Sequence, residues 1–283
     1  MPRLDPYHLT RVVRAALDED LGGGGDVTSD AVIDETRRSA GHLVARADLV
    51  LAGIPVAREV FRLVEPSLQF DERRHDGERA RRGERVATIA GKTRAILAGE
   101  RTALNFLMRM SGIATAAAAA VEEIEGTRAR ILDTRKTAPG LRLLDKYAVA
   151  CGGATNHRIG LYDAVLIKDT HLDSGCSIEQ AVRRAFERGH PEQAITVEVR
   201  ELEQLEQAIA AGAGRALLDN MELETLESAV KLASGRIVLE ASGGLRPGAL
   251  RAVAATGVDF LSLGWLTHSA PSADLAMELE ALR

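Results

Sequence analysis

Asp133, Thr134, Arg135, Lys136 and Thr137, then Asn156, His157 and Arg158, then Lys168, Asp169 and His171 make a dense basic cluster between positions 131 and 171. In a chain of formal net charge -5, so local an excess of positive charge fits a site for a multiply charged anion. A solvated surface stripe is the usual fate of a charge run, but two placements argue against it here. Arg135 and Lys136 directly follow the apolar pair Ile131-Leu132, and Lys168 ends the run Ala164 to Ile167. Both sit where a buried strand would leave a core.

Acids take up the pattern further on. Glu198, Asp219 and Glu240 fall at equal intervals, each at the end of an apolar strand-like run. A buried carboxylate is costly unless it is paired or bound to a metal, so three at equivalent points of successive strands are expected to meet at one mouth. Ligands of α/β folds bind at the carboxyl ends of the strands. Cations on one arc and acids on the next suit a substrate with anionic ends and a centre that becomes positive. Simple pairing with barrel lysines or arginines is the competing reading, and it weighs more for Glu240 than for Glu198 and Asp219. Ser242-Gly243-Gly244 after the fifth run, with Gly264 and His268 after the sixth, offer backbone amides for a phosphate.

The elements that must carry these groups divide the chain in two. Up to about residue 110, Tyr7 to Asp20 reads as a helix. His42 to Val50, Phe61 to Phe70 and Arg79 to Ile89 read as short alternating strands punctuated by glycine. Thr93 to Met110 has helical spacing, with Ser111-Gly112 breaking it before a second, alanine-rich helix at 113–125. Gly22 to Gly25 form a turn, because neither a preceding strand nor a following Lys-Ser/Thr makes them a phosphate cradle. From 131 onward six apolar runs alternate with helices: Ile131-Leu132, Ala164 to Ile167, Ile195 to Val199, Ala216 to Leu218, Ile237 to Leu239 and Phe260 to Leu263. Six βα units make a parallel sheet or barrel. Ser177 with Gln180 is expected to cap the helix at 178–188.

Composition narrows the partners. A length of 283 residues accommodates a barrel with a smaller companion domain. The acidic balance and 3% aromatic content argue against nucleic acid and membrane surfaces, leaving small anions. No apolar run looks long enough to cross a bilayer, and Met1-Pro2-Arg3-Leu4-Asp5 lacks the apolar core of a signal peptide, so the expected location is the cytoplasm. Cys151 and Cys176 have no metal-ligand spacing and read as reduced thiols.

The ordered motifs resemble one family, quinolinate phosphoribosyltransferase. They run through Glu100 to Leu107 with Ser111 to Thr115, and Asp133 to Thr137 with Pro139-Gly140. Asn156-His157-Arg158, Leu166 to Asp169, Val197-Glu198-Val199, Leu218 to Met221, Glu240 to Gly244 and Leu266 to Ser269 continue the series. The resemblance implies an N-terminal α/β sandwich plus an incomplete six- or seven-stranded α/β barrel, the type II phosphoribosyltransferase fold. It places the sandwich at 1–112, joined by a C-terminal helix at 271–283, and the barrel at 113–270.

The activity implied is decarboxylating transfer of the phosphoribosyl group from phosphoribosyl pyrophosphate to quinolinate, giving nicotinate mononucleotide, pyrophosphate and carbon dioxide. By the same resemblance Arg135, His157, Arg158 and Lys168 hold the quinolinate carboxylates, with Arg101 reaching in from the partner subunit of a homodimer that can assemble to a hexamer. Lys136 lies on the pyrophosphate side. Glu198 and Asp219 lie near the ribose hydroxyls and Mg2+, and Ser242, Gly243, Gly264 and His268 surround the 5'-phosphate. Lys136, Glu198 and Asp219 are the catalytic set. Thr170, Ala154 and Trp265 depart from the family's usual residues without removing a charged group.

Three other readings compete. One is a related type II phosphoribosyltransferase acting on another pyridine carboxylate such as nicotinate, which the paired Arg135 and Arg158 disfavour. The second is a Schiff-base aldolase with Lys168 as nucleophile. The third is an anion-binding regulatory protein on a barrel scaffold.

Overall fold

A computed structural model describes residues 4–282. Met1 to Arg3, on which part of the signal-peptide reading rests, and Arg283, the end of the expected terminal helix, lie outside them. The chain forms two compact units, one of Met1–Ala118, Thr137–Gly153 and Leu266–Arg283, the other of Ala119–Lys136 and Ala154–Trp265.

The first unit starts with α1 (Pro6–Leu21), whose first turn is capped by the Asp5 side chain on the amide of His8. Gly22 to Gly25 turn the chain, and Asp26 caps the short α2 (Val27–Val32) through the amide of Ser29. Then come β1 (Arg38–Ala45), β2 (Leu49–Val50), α3 (Ile54–Val64), β3 (Gln69–Glu72), β4 (Arg79–Ala80), β5 (Arg85–Lys92) and the long α4 (Thr93–Glu123), which ends in the second unit. Phe61 belongs to α3, not to an alternating strand over 61–70. Pro55 opens that helix, and Ile54, Ala57 and Phe61 fall at the helical spacing of one buried face.

Helix α4 does not break at Ser111-Gly112. Glycine there serves close approach: a Cβ on Gly112 would run into the carbonyl oxygen of Pro271, and the amide of Ala273 donates to Met108 O at 2.8 Å. Ser111 is fully buried, and its hydroxyl exchanges 3.1 Å hydrogen bonds with both the amide and the carbonyl of Ala52. By length and hydropathy α4 is apolar enough to cross a membrane, contrary to the sequence expectation. Its most apolar stretch is 56% buried within the protein, as for the core helix of a globular fold.

Downstream, β6 (Arg130–Leu132), α5 (Arg142–Cys151), β7 (Val165–Ile167), α6 (Asp169–Leu172) and α7 (Ile178–Glu187) precede β8 (Ile195–Val199) and α8 (Leu202–Ala210). Next come β9 (Arg215–Asp219), α9 (Leu223–Ala233), β10 (Val238–Ser242), α10 (Leu250–Ala255), β11 (Phe260–Ser262), α11 (Trp265–His268) and β12 (Leu275–Ala281). Ser177 caps α7 as expected, accepting from the amide of Gln180.

Residues 275–281 are a strand rather than a helix, pairing antiparallel with β1 from Ser39↔Ala281 to Ala45↔Leu275. The Ala, Leu, Met and Glu composition favours a helix, but helix propensity is a weak prior. The edge of β1 offers backbone partners, and Glu278 and Glu280 find Arg46 and His42 beside the pairing. The first unit's main sheet thus runs β12-β1-β5-β3, with β2 and β4 as a separate two-stranded piece.

The second unit is built on six parallel strands in the order β6-β11-β10-β9-β8-β7, all at the runs read from sequence. Beyond β6 a single parallel bridge, Leu132↔Thr155, stands where a seventh strand would lie. Side chains facing the helices are aliphatic and buried, among them Val197, Val199, Ala216, Leu218, Leu239, Ala241 and Leu261. Alternation sends the intervening residues to the other face, which is polar.

Gly112→Ala is expected to destabilise the protein by about 1–3 kcal/mol, the usual cost of overpacking against an element that cannot yield. Chemical denaturation with an unchanged m-value checks it.

Candidate active site

Six strands bring their inward-facing ends to one cavity of about 310 Å³. From the segment after β6 come Thr134, Arg135 and Lys136, and from the segment after Thr155 come His157 and Arg158. Strand β7 supplies Leu166, with Lys168 just beyond its end, β8 supplies Glu198, and β9 supplies Leu217 with Asp219. Glu240, Ser242 and Ser262 complete the lining from β10 and β11.

Asp133 organises the cationic wall. Fully buried at the end of β6, its carboxylate accepts from Asn156 Nδ2 and from the amide of His157, both at 2.7 Å. Those bonds and the Thr155 bridge fix where Asn156-His157-Arg158 turns into the cavity. His157 accepts at Nδ1 from the amide of Arg158, 2.7 Å away, which leaves Nε2 to face Glu240 Oε1 at 3.3 Å. Arg158 is braced through Nη1 on Ala164 O at 2.9 Å. Asp163 receives the amides of Ile159 and Gly160 and closes the following turn. Burial, and then the neighbouring positive charge of Arg135, lower the pKa of Arg158 despite the attraction of Asp163. Two guanidiniums held close enough to oppose each other form a site that an anion relieves.

Glu240 is buried completely. Arg215 Nη1 donates to its Oε2 at 3.0 Å, and the Ser262 hydroxyl donates to its Oε1. Arg215 in turn lies 4.6 Å over the ring of Phe260. Burial pushes the carboxyl up, but His157, Ser262 and Arg215 together outweigh it and hold Glu240 below the ordinary range. This is the pairing role that the sequence left open for Glu240.

The three carboxylates do not stand at equivalent points. Glu198 and Glu240 are both in register with Leu217, so they share one level, whereas Asp219 lies two residues further along β9, level with Ser242. Lys168 Nζ approaches Glu198 Oε2 at 3.6 Å. Burial raises the pKa of Glu198; Lys168 opposes the shift, while the negative charges of Asp219 and Asp169 add to it. Asp219 itself faces Arg200, whose Nε is 3.7 Å from its Oδ2 and whose Nη2 pairs with Asp169.

The glycine loops adjoin this mouth. Gly243 has φ 96°, and a Cβ there would collide with Asn220 Oδ1. Asn220 is itself left-handed at φ 54° and donates its amide to Ser242 O at 2.8 Å. Trp265 Nε1 donates to Leu245 O at 3.0 Å, so the departure noted at 265 ties the loop after β11, with Gly264, to the loop after β10. Arg101 and His268 belong to the first unit, both exposed.

The structure therefore gathers Arg135, Lys136, His157, Arg158, Lys168, Glu198, Asp219 and Ser242 around one cavity, as the sequence suggested. Sequence reasoning missed the supports: Asp133 as an anchor, Arg215 and Ser262 around Glu240, and Arg200. Period-two alternation from Glu198 would have flagged Arg200, since residues two apart in a strand share a face.

With this geometry the relatives can be placed. Residues 113–278 match the family model described as quinolinate phosphoribosyl transferase, C-terminal domain, and residues 26–111 match its N-terminal counterpart. The chain belongs to the quinolinate phosphoribosyltransferase family. Among relatives of the family, the probable nicotinate-nucleotide pyrophosphorylase [carboxylating] of Bacillus subtilis is 41% identical over 92% of this chain and 90% of its own. The Mycobacterium leprae nicotinate-nucleotide pyrophosphorylase [carboxylating] is also 41% identical, over 94% of this chain and 95% of its own. A solved nicotinate-nucleotide pyrophosphorylase from Francisella tularensis superposes with a TM-score of 0.93 at 37% identity, covering 98% of both chains.

The raised pKa of Glu198 means that its negative charge is lost at a higher pH than that of an ordinary glutamate as the solution is acidified. Asp219→Asn removes a neighbouring negative charge and is expected to bring that titration to lower pH. Carboxyl carbon NMR of Glu198 in the two proteins checks the direction, and an upward move would contradict it.

Proposed function

We propose that the protein joins quinolinate to the ribose of phosphoribosyl pyrophosphate, releasing pyrophosphate and carbon dioxide and leaving nicotinate mononucleotide for NAD synthesis. The observation that carries this reading is the opposition of Arg135 and Arg158 on one wall of a cavity whose other wall is acidic. Two fixed guanidiniums, with Lys168 and His157 beside them, match two carboxylates on a planar ring better than one. That favours quinolinate over nicotinate.

The quinolinate ring nitrogen attacks the anomeric carbon as the bond to pyrophosphate breaks. Positive charge grows on the sugar, and the carboxylates of Glu198 and Asp219 at that end stabilise it. Lys136, exposed at the cavity edge, neutralises the departing pyrophosphate. The new bond leaves positive charge on the ring nitrogen, which draws electrons from the bond to the adjacent carboxylate. Carbon dioxide departs, the electron pair of the broken bond stays on the ring carbon beside the cationic nitrogen, and a proton from water binds there. Arg135, Arg158, Lys168 and His157 hold both carboxylates during the transfer and the remaining one after carbon dioxide leaves, and Ser242, Gly243 and Gly264 take the 5'-phosphate.

Among the described residues no group of three or more His, Cys, Asp or Glu is arranged to hold a metal ion. Glu198, with the negative charge of Asp219 near enough to raise its pKa, and Asp219 itself suit a cation that takes its remaining oxygens from diphosphate and water, as Mg2+ does. Bound there, magnesium supplies positive charge to the leaving group. The reading places the enzyme in the cytoplasm, as a homodimer that can assemble further to a hexamer.

Incubation with quinolinate, phosphoribosyl pyrophosphate and magnesium is expected to yield nicotinate mononucleotide and carbon dioxide by mass spectrometry. Lys136→Ala, Glu198→Ala and Asp219→Ala are expected to lower kcat by roughly 10²-fold or more with little loss of quinolinate affinity, and Arg158→Ala the reverse. Efficient use of nicotinate without carbon dioxide from quinolinate would replace the decarboxylating reading.

Arg101 is exposed on a helix of the first unit, and the reading has it complete the partner's site. Mixed dimers of inactive Arg101→Ala and inactive Lys136→Ala subunits are expected to regain activity at up to about half of their sites, because one site of each mixed dimer carries neither change. A mixed dimer shown to form and yet inactive would assign Arg101 to its own subunit.

A further inference from the structure

We propose that Arg200 is a positioning residue for phosphoribosyl transfer, spanning Asp169 and Asp219 and so fixing the Asp219 carboxylate toward the sugar end of the cavity. Its Nη2 pairs with Asp169 Oδ2, and its Nε lies 3.7 Å from Asp219 Oδ2. Among the described residues this is the ion pair that Asp219 makes. The backbone beneath is fixed as well, for the amide of Arg200 donates to Gln204 Oε1 at 2.8 Å.

Three acids, Asp169, Glu198 and Asp219, come from three neighbouring strand ends, and Lys168 pairs with only one of them, Glu198. Arg200 serves the other two. A guanidinium presents several donors in a rigid plane and can engage two carboxylates at once, whereas an ammonium is a point charge on a flexible stem. With 57% of its side chain exposed, Arg200 adds little to stability through these pairs, since exposed ion pairs contribute at most about 1 kcal/mol. Its consequence is orientation. A carboxylate that must face a developing sugar cation works only at the right place, and a displacement of about 1 Å can lower a rate by roughly 10²-fold.

The inference rests on the transfer reaction proposed above, and the test separates the two. If the unaltered protein makes no nicotinate mononucleotide, the reaction fails; if it does, the variants decide Arg200. Arg200→Ala is expected to lower kcat by about 10- to 100-fold, with the quinolinate dissociation constant by calorimetry within about twofold and the melting temperature unchanged. Arg200→Lys is expected to recover part of the loss. Asp169→Asn is expected to lower kcat less, and to add nothing in the Arg200→Ala background, because both changes break the same link. An undiminished kcat in Arg200→Ala overturns the proposal. So do effects of Arg200→Ala and Asp169→Asn that multiply, no recovery by Arg200→Lys, or a loss that follows a fall in melting temperature.

Discussion

A glutamate with no exposure to solvent sits in the interior of the barrel, and the arrangement of the mouth follows from keeping it charged. Glu240 retains its charge only because Arg215, Ser262 and His157 converge on its two oxygens. Removing one partner of such a buried group costs about 3–5 kcal/mol, so their positions are not free to vary. His157 is held from both sides, by Glu240 through its ring and by Asp133 through its amide. The chain of fixed points from Asp133 to Arg215 runs across the barrel from β6 to β9, and Arg158 is carried at its edge. A binding wall made of mutually repelling guanidiniums needs a rigid support of this kind.

Around that support the charges separate by strand. Arg135 and Lys136 come from the segment after β6 and Arg158 from the segment after the adjoining bridge, while Glu198 and Asp219 come from β8 and β9, with Lys168 just beyond β7 facing the acids. In a concave mouth that partly excludes water, these charges interact more strongly than they would on an open surface. Burial is the first cause of the opposing shifts of Arg158 and Glu198, and a neighbour of like charge adds to each: Arg135 lowers the one, Asp219 and Asp169 raise the other. A substrate pair that is anionic at its ends and cationic in the middle of the reaction satisfies both sides at once.

Family membership extends across both units, since the two matched segments together run from residue 26 to 278. The first unit has constraints of its own. Its α4 is apolar enough to be mistaken for a membrane span, and Gly112 on that helix leaves room for the backbone at Pro271. The segment that follows forms β12 on the edge of β1, so the C-terminal part of the chain closes the sheet begun near its start.

The six parallel strands, the helices between them and the charged residues at their ends were legible in the sequence, because apolar runs ending in a charge are a local signal. So was the family, carried by motifs in a fixed order. Tertiary structure decided what depends on partners distant along the chain. Whether 275–281 is helix or strand turned on the free edge of β1, over two hundred residues earlier. Whether Gly112 ends a helix or admits a neighbour turned on where Pro271 passes. The levels of the three acids required the register between strands: equal spacing in sequence hid that Asp219 stands above Glu198 and Glu240. Arg200 and Arg215 read alike in sequence as charged residues at strand boundaries; only the fold gives one to Asp169 and Asp219 and the other to Glu240. An ion pair is chosen by distance in space, and a linear sequence does not contain that distance.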